Sequence, residues 1–144
     1  MSIFDPQHVL YVDNDCAGGD LLRHGFRENR EPLEITCCTN VEKALDLIAG
    51  RQFDLYVLDY CLLEMTGAEL CSKIRESDVL TPVVIYSALS RSIDRERAEN
   101  AGADAYLIKP DEFGLLMDAI RRLLGPQIPR SRHYHNPRRS SAIL

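Results

Sequence analysis

Five short runs of apolar residues recur along the chain, and helix-like segments separate them. The runs cover residues 9–12, 33–38, 53–58, 83–86 and 105–108, and they are rich in Val, Ile, Leu and Tyr. Nearly continuous apolar strands are typical of a parallel sheet that is buried on both faces. Strands that alternate with helices therefore predict a three-layer α/β fold with the sheet in the middle.

The segments between the runs carry local helix signals. Residues 39–42 read Thr-Asn-Val-Glu, which predicts a capping box with Thr39 as the cap and Glu42 reaching back. Gly50 is the expected end of that helix. Residues 67–76 place apolar side chains at helical spacing, which predicts the next helix.

The remaining helices differ in strength. Residues 113–124 form a long apolar stripe, followed by a glycine and a proline that end it. The first helix is expected near residues 21–28, because Gly18 and Gly19 disfavour a helical start. Residues 91–101 are more charged, so that helix is expected to lie exposed at the edge of the fold.

Length and charge define one domain and a tail. The chain has 144 residues, 45% of them hydrophobic, which suits one globular domain over residues 1–125. The net charge of -5 does not favour nucleic-acid binding by the domain. Residues 126–144 hold four arginines and no acidic residue, which predicts a basic, flexible tail. The alternative is an arm that docks on an acidic partner or a nucleic acid.

The cysteines and the apolar runs bear on location. There are five cysteines, without CxxC or zinc-like spacing, so they are expected to be reduced and mostly buried. Residues 1–8 carry no secretion signal, and no apolar run is long enough to span a bilayer. A reducing cytoplasm fits these features.

Four of the predicted strands are followed by short segments that carry reactive side chains. In chain order these segments contain Asp13, Asn14, Asp15, Asp59, Ser87, Ala88, Lys109 and Pro110. Ligands of α/β sheets bind beyond the carboxyl ends of the strands, so these residues are expected to converge. Clustered carboxylates repel unless a cation relieves them, and Mg²⁺ prefers carboxylate, amide and carbonyl oxygens. A lysine and a hydroxyl suit phosphoryl oxygens, and Asp59 can form an acyl phosphate.

Each of these residues also has an ordinary explanation. Asp13 or Asp15 could cap the first helix, and Ser87 could bond the local backbone. Asp59 and Lys109 could be loop or surface charges. Their joint occurrence at strand ends, in this order, favours the functional interpretation.

Over residues 7–125 these motifs resemble the receiver domains of two-component response regulators, above all the single-domain chemotaxis type. The matching features are an acidic pair, an acceptor aspartate with a glycine eight residues later, a Ser-Ala pair, and a Gly-Ala-x-x-aromatic run before Lys-Pro. In this chain they are Asp13-Asn14, Asp59 with Gly67, Ser87-Ala88, residues 102–106, and Lys109-Pro110. The resemblance implies a flavodoxin-like (βα)5 fold with strand order 2-1-3-4-5.

The same resemblance implies a phosphorylation-dependent switch. Asp59 would accept a phosphoryl group from a histidine kinase or phosphotransfer protein, and the signal would leave through the face formed by the fourth helix, fifth strand and fifth helix. Mg²⁺, or Mn²⁺ in its place, would be the cofactor. The implied metal ligands are Asp13, Asn14, Asp59, the Cys61 carbonyl and, as a further candidate, Asp15.

The remaining roles follow from the resemblance in the same way. Lys109, Ser87 and Ala88 would stabilise the phosphoryl group, Ser87 and Tyr106 would switch, and Pro110 would follow a cis peptide bond. Such a domain is not an enzyme beyond its own phosphorylation and dephosphorylation. We expect no DNA-binding domain and no membrane contact. The downstream target is then a separate, unidentified protein, and the chain a monomer or weak dimer.

Three positions depart from the family pattern. Asn14 replaces the second acid of the pair, which predicts weaker Mg²⁺ binding. Leu63 stands where proline is frequent, and Asp111 replaces an apolar residue after Lys-Pro, with Phe113 near enough to cover that gap.

Two rival functions remain open at this point. A pseudo-receiver would bind partners without phosphorylation, and Asn14 is its main support. A DxD-type phosphohydrolase would use Asp13 as the nucleophile and Asp15 as the acid/base. The phosphohydrolase is distinguished from a receiver domain by which aspartate becomes phosphorylated, Asp13 or Asp59.

Overall fold

Residues 6–31 and 33–126 are described in the computed structural model, and strands and helices alternate through them. In chain order the elements are β1 (Gln7–Val12), α1 (Ala17–Glu28), β2 (Leu33–Cys38), α2 (Val41–Gly50), β3 (Leu55–Leu58), α3 (Gly67–Arg75), β4 (Val83–Ser87), α4 (Ser92–Asn100), β5 (Ala105–Ile108) and α5 (Phe113–Leu124). All strand pairs are parallel, in the order β2-β1-β3-β4-β5. The predicted fold class and strand order are confirmed.

The sheet separates two buried layers. Helices α1 and α5 cover one face with side chains such as Phe26 and Ile120, and α2, α3 and α4 cover the other. Successive residues of β1 enter opposite layers, as a strand requires: Tyr11 faces α1, and Leu10 and Val12 face the other helices. The register pairs the last residues of β1 and β3 and the last residues of β4 and β5, so the residues that follow the strands share one edge.

The predicted capping box at residues 39–42 is wrong. Helix α2 begins one residue later than a Thr39 cap requires, and Asn40 caps it by accepting a hydrogen bond from the Lys43 backbone at 2.7 Å. Both residue types are good caps, so the sequence alone did not separate them. A reciprocal capping box does occur, between Thr66 and Glu69 at the start of α3.

Helix α1 starts at Ala17, four residues before the predicted start, and includes Gly18 and Gly19. The two glycines lie against the ring of Tyr11. A Cβ on Gly18 would come within 2.1 Å of the Tyr11 hydroxyl oxygen, and one on Gly19 within 3.3 Å of Cδ1. The glycines therefore make room for Tyr11, and that packing outweighs their poor helix propensity.

The prediction of five reduced thiols is wrong for two of them. Cys16, which precedes α1, and Cys37 of β2 form a disulfide with a Cα–Cα distance of 6.1 Å. Cys38 and Cys71 are free and buried, and Cys61 is free and exposed. The pair is 21 residues apart, and it meets only because α1 packs on β2, which no spacing rule reveals.

Helix α5 ends at Gly125, whose φ of 73° is the left-handed conformation that glycine adopts readily. The predicted tail lies outside the described residues, apart from Pro126. Within residues 6–31 and 33–126, every helix is too short or too polar to cross a membrane. The charged helix α4 buries Asp94 and Ala98 and leaves most of its other side chains exposed, as the sequence predicted.

Candidate functional site

Two carboxylates and a lysine meet at the carboxyl edge of the sheet. Asp13 follows β1, Asp59 follows β3 and Lys109 follows β5. The Lys109 ammonium forms an ion pair with Asp13 Oδ2, and its Nζ lies 3.7 Å from Asp59 Oδ1. The side chains of Asp13 and Asp59 are only 7% and 11% exposed, so water screens this cluster weakly. The convergence expected from the sequence is present for these three residues.

Asp59 is held in an environment that opposes its ionisation. Burial raises the pKa of its carboxyl, and the negative charge of Asp13 raises it further. Lys109 and the backbone N–H groups of Tyr60 and Cys61 lower that pKa, but they do not outweigh burial. A bound cation would stabilise the ionised carboxylate of Asp59, and a covalent bond from one of its oxygens to an electrophile would remove the charge from that carboxylate.

Asp13 accepts hydrogen bonds on both of its carboxylate oxygens. Oδ2 accepts hydrogen bonds from Lys109 and from the Tyr11 hydroxyl, the latter at 3.2 Å, and Oδ1 accepts one from the Asp15 backbone at 3.1 Å. Tyr11 was not among the predicted site residues, because an apolar strand position shows no sign of a polar role. A carboxylate this well bonded suits a fixed ligand better than a nucleophile.

Asn14 and Asp15 have separate partners. Asn14 Nδ2 donates to the Cys61 carbonyl oxygen at 2.9 Å, which joins the loop after β1 to the loop after β3. Asp15 Oδ1 accepts from the Ala17 N–H at 2.9 Å, so Asp15 bonds the first residue of α1. The structure therefore brings Asn14 and Cys61 to the site, while the Asp15 side chain forms a local hydrogen bond to the backbone just after Cys16, the N-cap of α1.

These donors fit a hard divalent cation. Among the residues that the structure describes, no group of three or more His, Cys, Asp and Glu side chains is arranged to hold a metal ion. Mg²⁺ does not require one, since it is usually bound by one or two carboxylates and keeps several waters. Asp13 and Asp59 supply two carboxylates, and Cys61 supplies a carbonyl oxygen. When ionised, the two carboxylates carry one more negative charge than Lys109 neutralises, which favours a cation.

Ser87 and Tyr106 meet at the loop after β4. Ser87 is fully buried, and its Oγ accepts from the Leu89 N–H at 3.2 Å. Tyr106 is buried, and its hydroxyl donates to the Leu89 carbonyl at 2.9 Å. The backbone of Leu89, which the sequence did not single out, thus forms hydrogen bonds with both predicted switch residues. Ala88, which lies between Ser87 and Leu89, is exposed.

Several predicted positions frame the site. The Lys109–Pro110 peptide is cis. Leu63 is 85% exposed, Asp111 is also exposed, and Phe113 packs against the α1/α5 layer. These two departures from the family pattern therefore lie at the surface.

Gly67 lies directly behind Asp59. Its N–H donates to the Tyr60 carbonyl at 2.7 Å, and a Cβ at this position would come within 2.3 Å of the Asp59 carbonyl oxygen. We expect Gly67→Ala to lower the free energy of unfolding by about 2 kcal/mol, because the backbone of Asp59 and Tyr60 must move away from the new methyl group. Gly114→Ala in α5 is the matched control, since a Cβ there meets nothing within 4 Å. Urea unfolding measures both; equal stability of the two variants would contradict the close approach.

The stability of Asp59→Asn should depend on pH. Because the folded protein raises the pKa of Asp59, ionisation destabilises the fold as pH rises above the usual aspartate range. An amide cannot ionise, so Asp59→Asn should be more stable than the parent at neutral pH. The advantage should shrink as pH falls and vanish below the ordinary aspartate pKa of about 4, where the carboxyl is protonated in both the folded and the unfolded parent. Urea unfolding in the presence of a chelator at both pH values measures this.

Asp78→Asn provides a control of opposite sign. Burial raises the pKa of Asp78, but hydrogen bonds from Thr81 and Leu80 outweigh it and leave the pKa lowered. This variant should lose stability at neutral pH, and the loss should shrink as pH falls towards the lowered pKa. The same sign for both variants would show that Asp59 is not destabilised by its surroundings.

Comparison with known proteins gives one consistent result. The family model described as the response regulator receiver domain matches residues 9–121. The response regulator MprA of Mycolicibacterium vanbaalenii is 32% identical over 124 residues, which is 86% of this chain and 53% of that protein. The response regulator protein PmrA of Pseudomonas aeruginosa is 33% identical over 130 residues, 87% of this chain and 58% of that protein. The chain spans about half the length of these curated relatives.

Solved structures agree with the sequence matches. A CheY-like receiver domain protein of Methanospirillum hungatei has a TM-score of 0.75 at 25% identity, with 83% of this chain and 94% of that chain covered. The response regulator TrrA of Thermotoga maritima, solved with Mg(2+)-BeF, has a TM-score of 0.70 at 26% identity, with 81% and 98% covered.

Proposed function

Because the chain belongs to the response regulator receiver domain family of two-component signalling, we propose that Asp59 is the residue that accepts the phosphoryl group. The observation that carries the proposal is the position of Asp59 at the end of β3, 3.7 Å from the Lys109 ammonium and with Asp13 alongside. A carboxylate with a cation at this distance can form an acyl phosphate whose charge is already countered.

The chain supplies the groups that the transfer needs. An Asp59 oxygen attacks phosphorus, and the phosphorus–nitrogen bond of a phosphohistidine donor breaks as the oxygen–phosphorus bond forms. Lys109 then turns from the carboxylates to the phosphoryl oxygens. Mg²⁺ would offset the negative charge of the phosphoryl oxygens. Its ligands would be Asp13, Asp59, the Cys61 carbonyl and, after rotation of its amide, Asn14.

The switch uses the loop after β4. Ser87 would leave the Leu89 N–H and donate its hydroxyl to the phosphoryl group, and the Ala88 N–H would be a second donor. Since Tyr106 bonds the Leu89 carbonyl, movement of this loop reaches β5 and the face formed by α4, β5 and α5. A phosphoryl group carries about -1.5 to -2 charges at neutral pH, enough to bias a loop with two arrangements.

The partners follow from this chemistry. The donor would be a histidine kinase or phosphotransfer protein in the cytoplasm, and the α4-β5-α5 face would bind a target that the sequence does not identify. Apart from its own phosphorylation and dephosphorylation, we assign the domain no enzymatic reaction.

Phosphoryl uptake tests the proposal directly. The protein is incubated with acetyl phosphate and Mg²⁺ and its intact mass is measured, with Asp59→Asn and Asp13→Asn treated in parallel. We expect one adduct in the parent, none in Asp59→Asn, and a slower adduct on Asp59 in Asp13→Asn. Loss of the adduct only in Asp13→Asn would support the phosphohydrolase instead. No adduct in a folded parent would support the pseudo-receiver.

Asn14→Asp should strengthen Mg²⁺ binding by about 10-fold, because it adds one negative charge to the ligand set. The variant also loses the Nδ2 donor that bonds the Cys61 carbonyl, which frees that oxygen for the metal. Isothermal titration with Mg²⁺ measures the change, and Asn40→Asp, which keeps the α2 cap, is the control. Unchanged affinity would show that residue 14 does not contact the metal.

A further inference from the structure

A tyrosine hydroxyl lies beneath the acidic site, in the layer between the sheet and α1. Tyr11 is 1% exposed, and its hydroxyl donates to Asp13 Oδ2 at 3.2 Å. The other donors to Asp13 are Lys109, also on Oδ2, and the Asp15 N–H on Oδ1. Tyr11 is thus the neutral side-chain donor to this carboxylate among the contacts of the described residues.

The start of α1 is shaped around this hydroxyl. A Cβ on Gly18 would come within 2.1 Å of the Tyr11 oxygen, and a Cβ on Gly19 within 3.3 Å of Cδ1 and 3.7 Å of the Cys37 Cβ. Glycine is unfavourable inside a helix, so two in succession need a reason of this kind. The chain therefore tolerates a poor helix start in order to keep the hydroxyl in place.

From this geometry we propose that Tyr11 is a positioning residue for metal binding, which fixes the Asp13 carboxylate as a ligand. The proposal rests on the proposed function in one respect, namely that Asp13 binds the divalent cation. A carboxylate has about four acceptor sites, so one hydroxyl donor leaves lone pairs for a metal. Hydrogen-bond partners that orient metal ligands typically contribute 10- to 100-fold to affinity.

Tyr11 and Lys109 act on Asp13 in different ways. Lys109 is a cation, so it competes with a metal ion for Asp13, and it is the group that turns to the phosphoryl oxygens. Tyr11 carries no charge and is confined between the sheet and α1, so it stays on Asp13 in both states. The Tyr11 hydroxyl therefore holds the Asp13 side chain in one rotamer while Lys109 and the metal ion exchange as its other partners.

Metal binding without any phosphoryl donor tests the proposal. The full chain is titrated with Mn²⁺, and free Mn²⁺ is measured by electron paramagnetic resonance. We expect Tyr11→Phe to bind Mn²⁺ about 10-fold more weakly than the parent. The matched control is Tyr56→Phe, which removes a hydroxyl from a residue equally buried in the opposite layer and should bind as the parent does. Equal affinity of Tyr11→Phe and the parent would overturn the proposal.

Gly18→Ala provides an independent route to the same result. The new methyl group must displace the Tyr11 hydroxyl, so it should weaken Mn²⁺ binding in the parent and add little to the loss in Tyr11→Phe. Additive losses would show that the two residues act separately and would overturn the proposal. If Tyr11→Phe does not fold by circular dichroism, Gly18→Ala still decides.

Phosphoryl uptake by the parent separates this proposal from the proposed function. An adduct on Asp59 together with unchanged Mn²⁺ binding in Tyr11→Phe would refute the role of Tyr11 alone. Weakened binding in Tyr11→Phe without any adduct in the parent would support Tyr11 and refute Asp59 as acceptor. A parent that binds no Mn²⁺ would overturn the role of Tyr11 and the proposed metal site together.

Discussion

Lys109→Ala is expected to slow phosphoryl uptake from acetyl phosphate by about 100-fold, a typical cost of removing one placed charge-stabilising donor. In the structure Lys109 contacts both carboxylates, with its Nζ 3.7 Å from Asp59 and in an ion pair with Asp13, so it is placed to contact the oxygens of a phosphoryl group on Asp59. Uptake rates at saturating Mg²⁺, followed by intact mass, measure the effect. The control is Lys73→Ala on the exposed surface of α3.

The same variant should behave differently towards metal and denaturant. Without metal it leaves two nearly buried carboxylates without a cationic partner, so the free energy of unfolding should fall by about 2 kcal/mol, less than a fully buried pair would lose because Lys109 is 24% exposed. Mg²⁺ no longer competes with the ammonium, so it should bind more tightly and restore most of that stability. Unchanged uptake, or a loss of stability that Mg²⁺ does not reverse, would contradict the placement of Lys109.

Reduction of the Cys16–Cys37 disulfide should cost about 3 kcal/mol of stability, because the bond closes a loop of some 20 residues in the unfolded chain. For a domain of this size the melting temperature should fall by about 10 °C. Thermal denaturation with and without dithiothreitol measures the change.

Cys37→Ser is the internal control for that experiment. It should melt at the temperature of the reduced parent and should not respond to dithiothreitol. A parent that melts at the same temperature under both conditions, with its thiols titrating as free, would show that the pair is reduced in solution. A reductant-sensitive variant would assign the effect to another cysteine.

Strand positions were largely predictable because burial on both faces leaves a plain apolar signal. The ends of the strands were less so. Phe53 is buried but precedes β3, since burial does not require a ladder hydrogen bond, and β1 extends back to polar Gln7 because backbone pairing ignores side-chain polarity. The apolar pattern thus locates a strand but not its first residue.

The site was predictable where position along the sheet decides contact. Asp13, Asp59 and Lys109 each follow a parallel strand, and topology alone brings them together. Tyr11 and the disulfide depend instead on how α1 packs on β1 and β2, which no local pattern encodes. The glycines at the start of α1 were the available signal, but on their own they indicate only a weak helix.

The packing of Tyr11 on Gly18 also limits the routes by which this pair of residues can have evolved. Any side chain at position 18 would place its Cβ 2.1 Å from the Tyr11 hydroxyl oxygen as it lies in this structure, so the hydroxyl would have to move away from Asp13. The hydrogen bond from Tyr11 to Asp13 therefore requires a glycine that was present before the tyrosine or arose with it. Among diverging descendants of this sequence, a larger residue at position 18 should follow the loss of Tyr11 and should not precede it.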